Sequence, residues 1–304
     1  MEYTAEQQSA IDRSMSDSLV LMTGGPGTGK TTTIKGIVSE NESAGAVVTV
    51  LAPTGKAASR ITDHTGFEAS TIHRALEWFP PLQGFRRNAG NPLPADVVVV
   101  DESSMIDVHI AGSLMEAVRP DARLVMVGDA NQLQPVGPGA PFADLLSVPQ
   151  AKAIRLSRPF RQSGGSAIAN AAYAILDGKA PDNVVSDEST FLYLERGTSD
   201  IAVTVMELIR ERLPKRGICG DEAIQVLVPA KEKAVGTKAF NDMLAAHFNP
   251  SGRINALSVG DKVIQQVNDY DAGVFNGDTG RVTRAAKGAV VVEFADRKEV
   301  VYTG

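Results

Sequence analysis

Leu19-Val20-Leu21-Met22-Thr23-Gly24-Gly25-Pro26-Gly27-Thr28-Gly29-Lys30-Thr31-Thr32-Thr33 decides how this chain folds. A strand-sized apolar run enters a complete GxxxxGK[ST] loop, and a helical stretch over residues 31–40 leaves it. Glycines in such a loop let backbone N–H groups curl around phosphates, and the helix amino terminus adds partial positive charge. A lysine at this place reaches the β and γ phosphates. Gly25, Gly27, Thr28, Gly29, Lys30, Thr31 and Thr32 are therefore expected to hold ATP or GTP. Lys30 should act on the phosphates and Thr31 should coordinate Mg²⁺.

The same rhythm continues outward. A strand over 47–51 is followed by a helix over 55–62; after a break come Val97-Val98-Val99-Val100, a helix over 107–118 and a buried strand over 123–127. Short apolar strands alternating with helices predict a parallel sheet covered on both faces. Three strands end in polar residues at Thr23, Asp101 and Gly128, and ligands of open α/β sheets sit beyond such ends. Asp101-Glu102 suits two tasks there, Asp101 holding the Mg²⁺ shell and Glu102 serving as general base toward water. An acidic pair after a strand is also what a solvated turn looks like. Gln132, just past the strand over 123–127, is placed to sense the γ phosphate or the attacking water.

Composition narrows the class. With 304 residues and 43% hydrophobic content, the chain can bury a full core and divide into two domains, with room for a small third. Cys219 is the only cysteine, and the four histidines lack the spacing of a helical zinc motif. A net charge of −6 opposes a broad basic face for duplex DNA but permits a narrow single-strand groove. No apolar run approaches the ~20 residues that span a bilayer. The amino terminus has no secretion signal, so a cytoplasmic protein is expected.

Residues 79–94 hold four prolines and two glycines around Phe85-Arg86-Arg87-Asn88, which fits an inserted hairpin as well as a solvated connection. Farther on, helices over 167–176, 201–212 and 238–248 surround an expected strand over 224–228. From about residue 259 short strands over 262–267, 280–283, 289–294 and 299–302, with Asn276-Gly277 as a turn, predict a small antiparallel barrel.

Six segments in order, GGPGTGKTTT (24–33), APTGKAASR (52–60), STIHRAL (70–76), VVVVDESSMID (97–107), VGDANQLQPVGPG (127–139) and FRQ (160–162), resemble the RecD-like superfamily 1B DNA helicases. The resemblance implies a P-loop NTPase with RecA-like parallel-sheet lobes and a small SH3-like β-barrel. In that layout residues 1–162 form the ATP-binding lobe with a duplex-splitting pin near 79–94, 163–258 part of a second lobe, and 259–304 the barrel. It further implies that Gln7 contacts adenine, that Gln132 couples nucleotide state to DNA, and that Arg161 stabilises phosphoryl charge from across the cleft. Pro53, Thr54, Gly55 and Lys56 match one segment that touches single-stranded DNA, and Thr71 with His73 match the next. A helix cap and a partly buried histidine are the plainer alternatives for these positions.

The implied activity is a 5′ to 3′ DNA helicase or translocase driven by Mg-ATP, acting on single-stranded DNA and duplex junctions and not on membranes. The alternatives are a DNA-dependent ATPase, the helicase module of a relaxase, or a nucleotide-gated DNA-binding fragment without unwinding. Relatives continue past the barrel with a serine-glutamine-glycine segment and a threonine-arginine segment. Val301-Tyr302-Thr303-Gly304 ends before either, so a fragment of a longer motor is expected.

Overall fold

Val97–Val100 are fully buried, and successive valines enter opposite cores: Val97 and Val99 on one face of the sheet, Val98 and Val100 on the other. Period-two alternation with both faces apolar is the mark of a central parallel strand. Each valine contributes roughly 1.5–3 kcal/mol by leaving water.

The computed structural model describes residues 3–79, 81, 83–156, 167–185, 190–250, 257–267, 269, 272–274, 276–294 and 298–303. It divides into two compact units, Met1–Phe191 and Leu192–Gly304. The first opens with α1 (Ala5–Ser14), β1 (Leu19–Gly24), α2 (Lys30–Ser43), β2 (Val48–Ala52), α3 (Gly55–Thr65), β3 (Ala69–Thr71) and α4 (Ile72–Ala75). A minimal hairpin follows, β4 (Trp78–Phe79) against β5 (Gly84–Phe85), with Trp78 opposite Phe85. Then come β6 (Val97–Val100), α5 (Val108–Ala117), β7 (Arg123–Gly128), α6 (Pro141–Ser147) and β8 (Ile154–Leu156). The unit closes with α7 (Ala167–Leu176) and a second small hairpin of β9 (Val184–Val185) and β10 (Thr190–Phe191).

Six strands form one sheet in the order β3-β2-β6-β7-β1-β8, all neighbours parallel. Ile11, Ile34, Ile37, Val38 and Ile61, carried by α1 to α3, cover one face. Ile72, Leu76, Leu114, Phe142 and Leu146 cover the other. The order sets β6, β7 and β1 side by side, so the polar residues that follow them share one end of the sheet.

The second unit contains α8 (Thr198–Glu207), whose last turn widens over Leu208–Arg212, and α9 (Thr237–Phe248). An antiparallel meander follows: β11 (Lys262–Ile264), β12 (Thr279–Ala286), β13 (Ala289–Phe294) and β14 (Glu299–Thr303). Val282, Val292, Phe294 and Val300 make its core with Val274.

Two expectations need correction. Residues 224–228 form no strand: Ile224, Val226 and Val228 are partly covered and Leu227 is 86% exposed, but no strand among the described residues pairs with them. Apolar β-branched residues favour a pleat only where a neighbour takes up the backbone N–H and C=O groups. Asn276-Gly277 does not make a two-residue hairpin either; it closes the long connection between β11 and β12, with the Gly277 N–H donating to the Gln265 carbonyl at 2.9 Å. The tight hairpin is at Lys287-Gly288, between β12 and β13, where Gly288 takes φ 83°.

Candidate nucleotide site

The loop between β1 and α2 is shaped by its glycines. Gly27 and Gly29 take φ of 73° and 88°, a left-handed conformation that side chains disfavour. A Cβ on Gly29 would also run into the Gln7 amide. The Lys30 ammonium sits over the loop, donating to the Gly24 carbonyl at 2.6 Å and the Gly25 carbonyl at 3.2 Å. Thr28 Oγ1 donates to the Gly25 carbonyl at 2.9 Å, and Thr33 Oγ1 to the Gly29 carbonyl at 2.9 Å. Thr31 and Thr32 lie half-buried in the first turn of α2.

Gln7 is only 8% exposed. Its Oε1 accepts from the Thr4 N–H at 2.9 Å, completing a capping box on α1, and its Nε2 donates to the Thr28 carbonyl at 3.5 Å. The residue thus joins the first helix to the phosphate loop.

Asp101 and Glu102 follow β6. Asp101 is buried, and its Oδ1 accepts the Glu102 N–H at 2.8 Å. Burial pushes its carboxyl up to about 6, against the pull of the Glu102 amide and of the Lys30 and Arg60 charges. Glu102 holds φ 50° and ψ 36°, uncommon for a residue with a side chain. Its Oε2 is buried without a hydrogen-bond partner among the described residues. Strain together with an unsatisfied carboxylate oxygen is costly, and proteins keep such features mainly where function needs them. The pair is therefore no solvated turn.

Asp101 has a measurable consequence for stability. An unfolded aspartate titrates near its ordinary value of 3.8, so the folded state takes up a proton between there and about 6, and above that range the buried charge opposes folding. Asp101→Asn is expected to stabilise the protein by roughly 2 kcal/mol at about pH 7.5, with the gain vanishing below about pH 4. Denaturant unfolding across this range checks it; a gain that persists in acid contradicts it.

Next to this pair, the Ala130 N–H donates to Thr23 Oγ1 at 3.1 Å, tying the end of β7 to the end of β1. The Gln132 N–H donates to the Asp129 carbonyl at 3.1 Å, and its side chain is exposed on that turn. Arg161 lies outside the described residues, as do Phe160 and Gln162. Lys30 and Asp101 meet electrostatically in one place with the loop; Thr31 opens the helix beside them. A hydroxyl and one carboxylate beside a phosphate cradle suit Mg²⁺, which takes few protein ligands and relies on phosphate oxygens.

The segments expected on DNA lie at the same end of the sheet, over β2 and β3, where register pairs Ala52 with Thr71. Thr54 caps α3 by accepting from the Ala57 N–H, and Thr71 caps α4 by accepting from the Arg74 N–H. Pro53 precedes that cap, and Gly55 and Lys56 open α3. His73 stacks edge-on with Trp78 and Phe85 of the small hairpin, at 6.3 and 5.5 Å between ring centres. Burial holds its imidazole below the ordinary range, opposed by Asp107. The capping and partial burial are thus real, and they leave Lys56 and Trp78 exposed.

Two residues escaped sequence reading. Arg60, on α3, bears on Asp101. Tyr173, on α7, touches the phosphate loop, 147 positions away from Pro26. No periodicity or motif reports a contact of that span.

Residues 2–195 match the family described as AAA domain, and residues 240–294 match the ATP-dependent RecD-like DNA helicase SH3 domain. The chain belongs to the AAA-domain family. It is 40% identical over 307 residues to the ATP-dependent RecD2 DNA helicase of Deinococcus radiodurans, covering 98% of this chain and 41% of that protein. It is 30% identical to the RecBCD enzyme subunit RecD of Mycolicibacterium smegmatis, covering 93% of this chain and 58% of that one. It therefore spans less than two thirds of the length of either relative. In fold, all of the chain aligns with 75% of a Bacteroides Pif1 helicase solved in complex with ADP-AlF3 and ssDNA, with a TM-score of 0.55 and 20% identity. No helix among the described residues is long and apolar enough to cross a membrane.

Proposed function

We propose that the chain is the ATP-hydrolysing motor portion of a DNA helicase that moves 5′ to 3′ on single-stranded DNA and opens duplex junctions. The observation that carries this proposal is the buried Oε2 of Glu102, without a hydrogen-bond partner among the described residues, directly after Asp101, which feels the Lys30 charge of the phosphate loop. The name of the Deinococcus relative, an ATP-dependent DNA helicase, supports it. The exposed lone thiol of Cys219 suits a reducing cytoplasm.

In this function Lys30 leaves the Gly24 and Gly25 carbonyls for the β and γ phosphates, and the backbone N–H groups of 25–29 hold the remaining oxygens. Mg²⁺, held by Thr31 and Asp101, would draw charge from the phosphates. Glu102 orients water and takes its proton. Gln132 reports phosphate occupancy to the DNA side, Gln7 contacts adenine, and Arg161 supplies a further cation. Pro53 to Lys56, Thr71 and His73 hold the strand, with the hairpin of β4 and β5 meeting the duplex.

The test is strand separation on duplexes tailed at either end, with the unaltered chain and one lacking residues 84–92. The expected result is opening of the 5′-tailed substrate alone, lost on deletion while ATP hydrolysis persists. Equal opening of both substrates would contradict the polarity, and unwinding that survives the deletion would contradict the pin.

A further inference from the structure

The N–H groups of a phosphate loop are committed to the anion, so its carbonyls need donors of their own. Five carbonyls of this loop have one. Lys30 serves Gly24, Lys30 and Thr28 serve Gly25, Thr33 serves Gly29, and Gln7 serves Thr28. The fifth is the Pro26 carbonyl, which accepts from the Tyr173 hydroxyl at 3.4 Å.

Tyr173 also closes on the loop sterically. A Cβ placed on Gly25 would lie 2.6 Å from the Tyr173 hydroxyl oxygen and 3.1 Å from two ring carbons, so glycine at 25 is what admits the ring. Gln7 and Tyr173 differ from the other donors in coming from outside the loop and its helix. One arrives on α1 and holds the carboxyl-terminal half of the loop; the other arrives on α7 and holds the tip.

Lys30 must give up its carbonyls to serve a nucleotide. The Tyr173 hydroxyl, bonded to Pro26 at the tip, comes from another helix and can hold that peptide while the lysine moves.

We propose that Tyr173 is a positioning residue for nucleotide binding, acting through the Gly25-Pro26 peptide and not on the phosphates themselves. This rests on the nucleotide site proposed above. Because α7 carries the residue, whatever shifts that helix alters the tip of the loop, and so the grip on phosphate.

The experiment is equilibrium binding of a fluorescent ADP analogue with Mg²⁺ to the full chain, followed by anisotropy, alongside thermal melting. Tyr173→Phe removes the hydroxyl and keeps the ring; affinity is expected to fall about two- to tenfold, the net value of one hydrogen bond, with the melting temperature unchanged. Tyr173→Ala should bind at least as weakly. Gly25→Ala should displace the ring, so combining it with Tyr173→Phe should cost less than the sum of the two. Unchanged affinity in Tyr173→Phe, while the unaltered chain binds and Lys30→Ala does not, would overturn the inference alone. No binding by the unaltered chain would overturn the nucleotide site and the inference with it.

Discussion

Lys30→Ala is expected to lower ATP turnover at least a hundredfold and to weaken nucleotide binding with it. The ammonium is half-buried over the loop and is the cation nearest to where the phosphates are proposed to lie. Losing one preorganised charged donor costs about 10²–10³ in rate. Lys30 also holds the Gly24 and Gly25 carbonyls, so its removal loosens the cradle as well as stripping its charge. Fold should survive, because the site lies at the end of the sheet and not in either of its apolar cores. Turnover within tenfold of the unaltered chain would mean that the lysine is not acting on phosphate.

Glu102→Gln is expected to separate binding from chemistry. The amide keeps the shape of the side chain and removes its capacity to accept a proton, which costs about 10²–10⁴ where a general base is lost. Nucleotide affinity should remain within a few-fold of the unaltered chain, because Glu102 is not among the groups that hold the phosphates. Single-turnover hydrolysis with a binding measurement on the same sample decides the matter. Equal loss of binding and turnover would make Glu102 a structural residue of the turn after β6.

Much of this was legible in the sequence, and the reason is local. Four valines in a row, all at 0% exposure, cannot be satisfied except between two apolar layers, and the loop from Gly24 to Thr31 has its strand before and helix after. The acidic pair after β6 and the turn after β7 were legible for the same reason, since each follows directly from a strand end.

What escaped depends on partners distant in sequence. Residues 224–228 have a strand's composition but no paired neighbour among the described residues. A helix cap is one of two readings that composition allows for Thr54 and Thr71, and in the fold both hydroxyls accept from backbone N–H groups. The φ of Glu102 leaves no trace in composition, and the contact of Tyr173 with Pro26 crosses most of the first unit. Arg161, singled out by resemblance alone, lies outside the described residues.

Steady-state ATP hydrolysis by the unaltered chain, with and without single-stranded DNA, bears most directly on whether this is a DNA-coupled motor. Hydrolysis that rises severalfold or more with DNA, and that disappears in Lys30→Ala and Glu102→Gln under both conditions, is the predicted result. Hydrolysis indifferent to DNA, or equally fast in either variant, would contradict it.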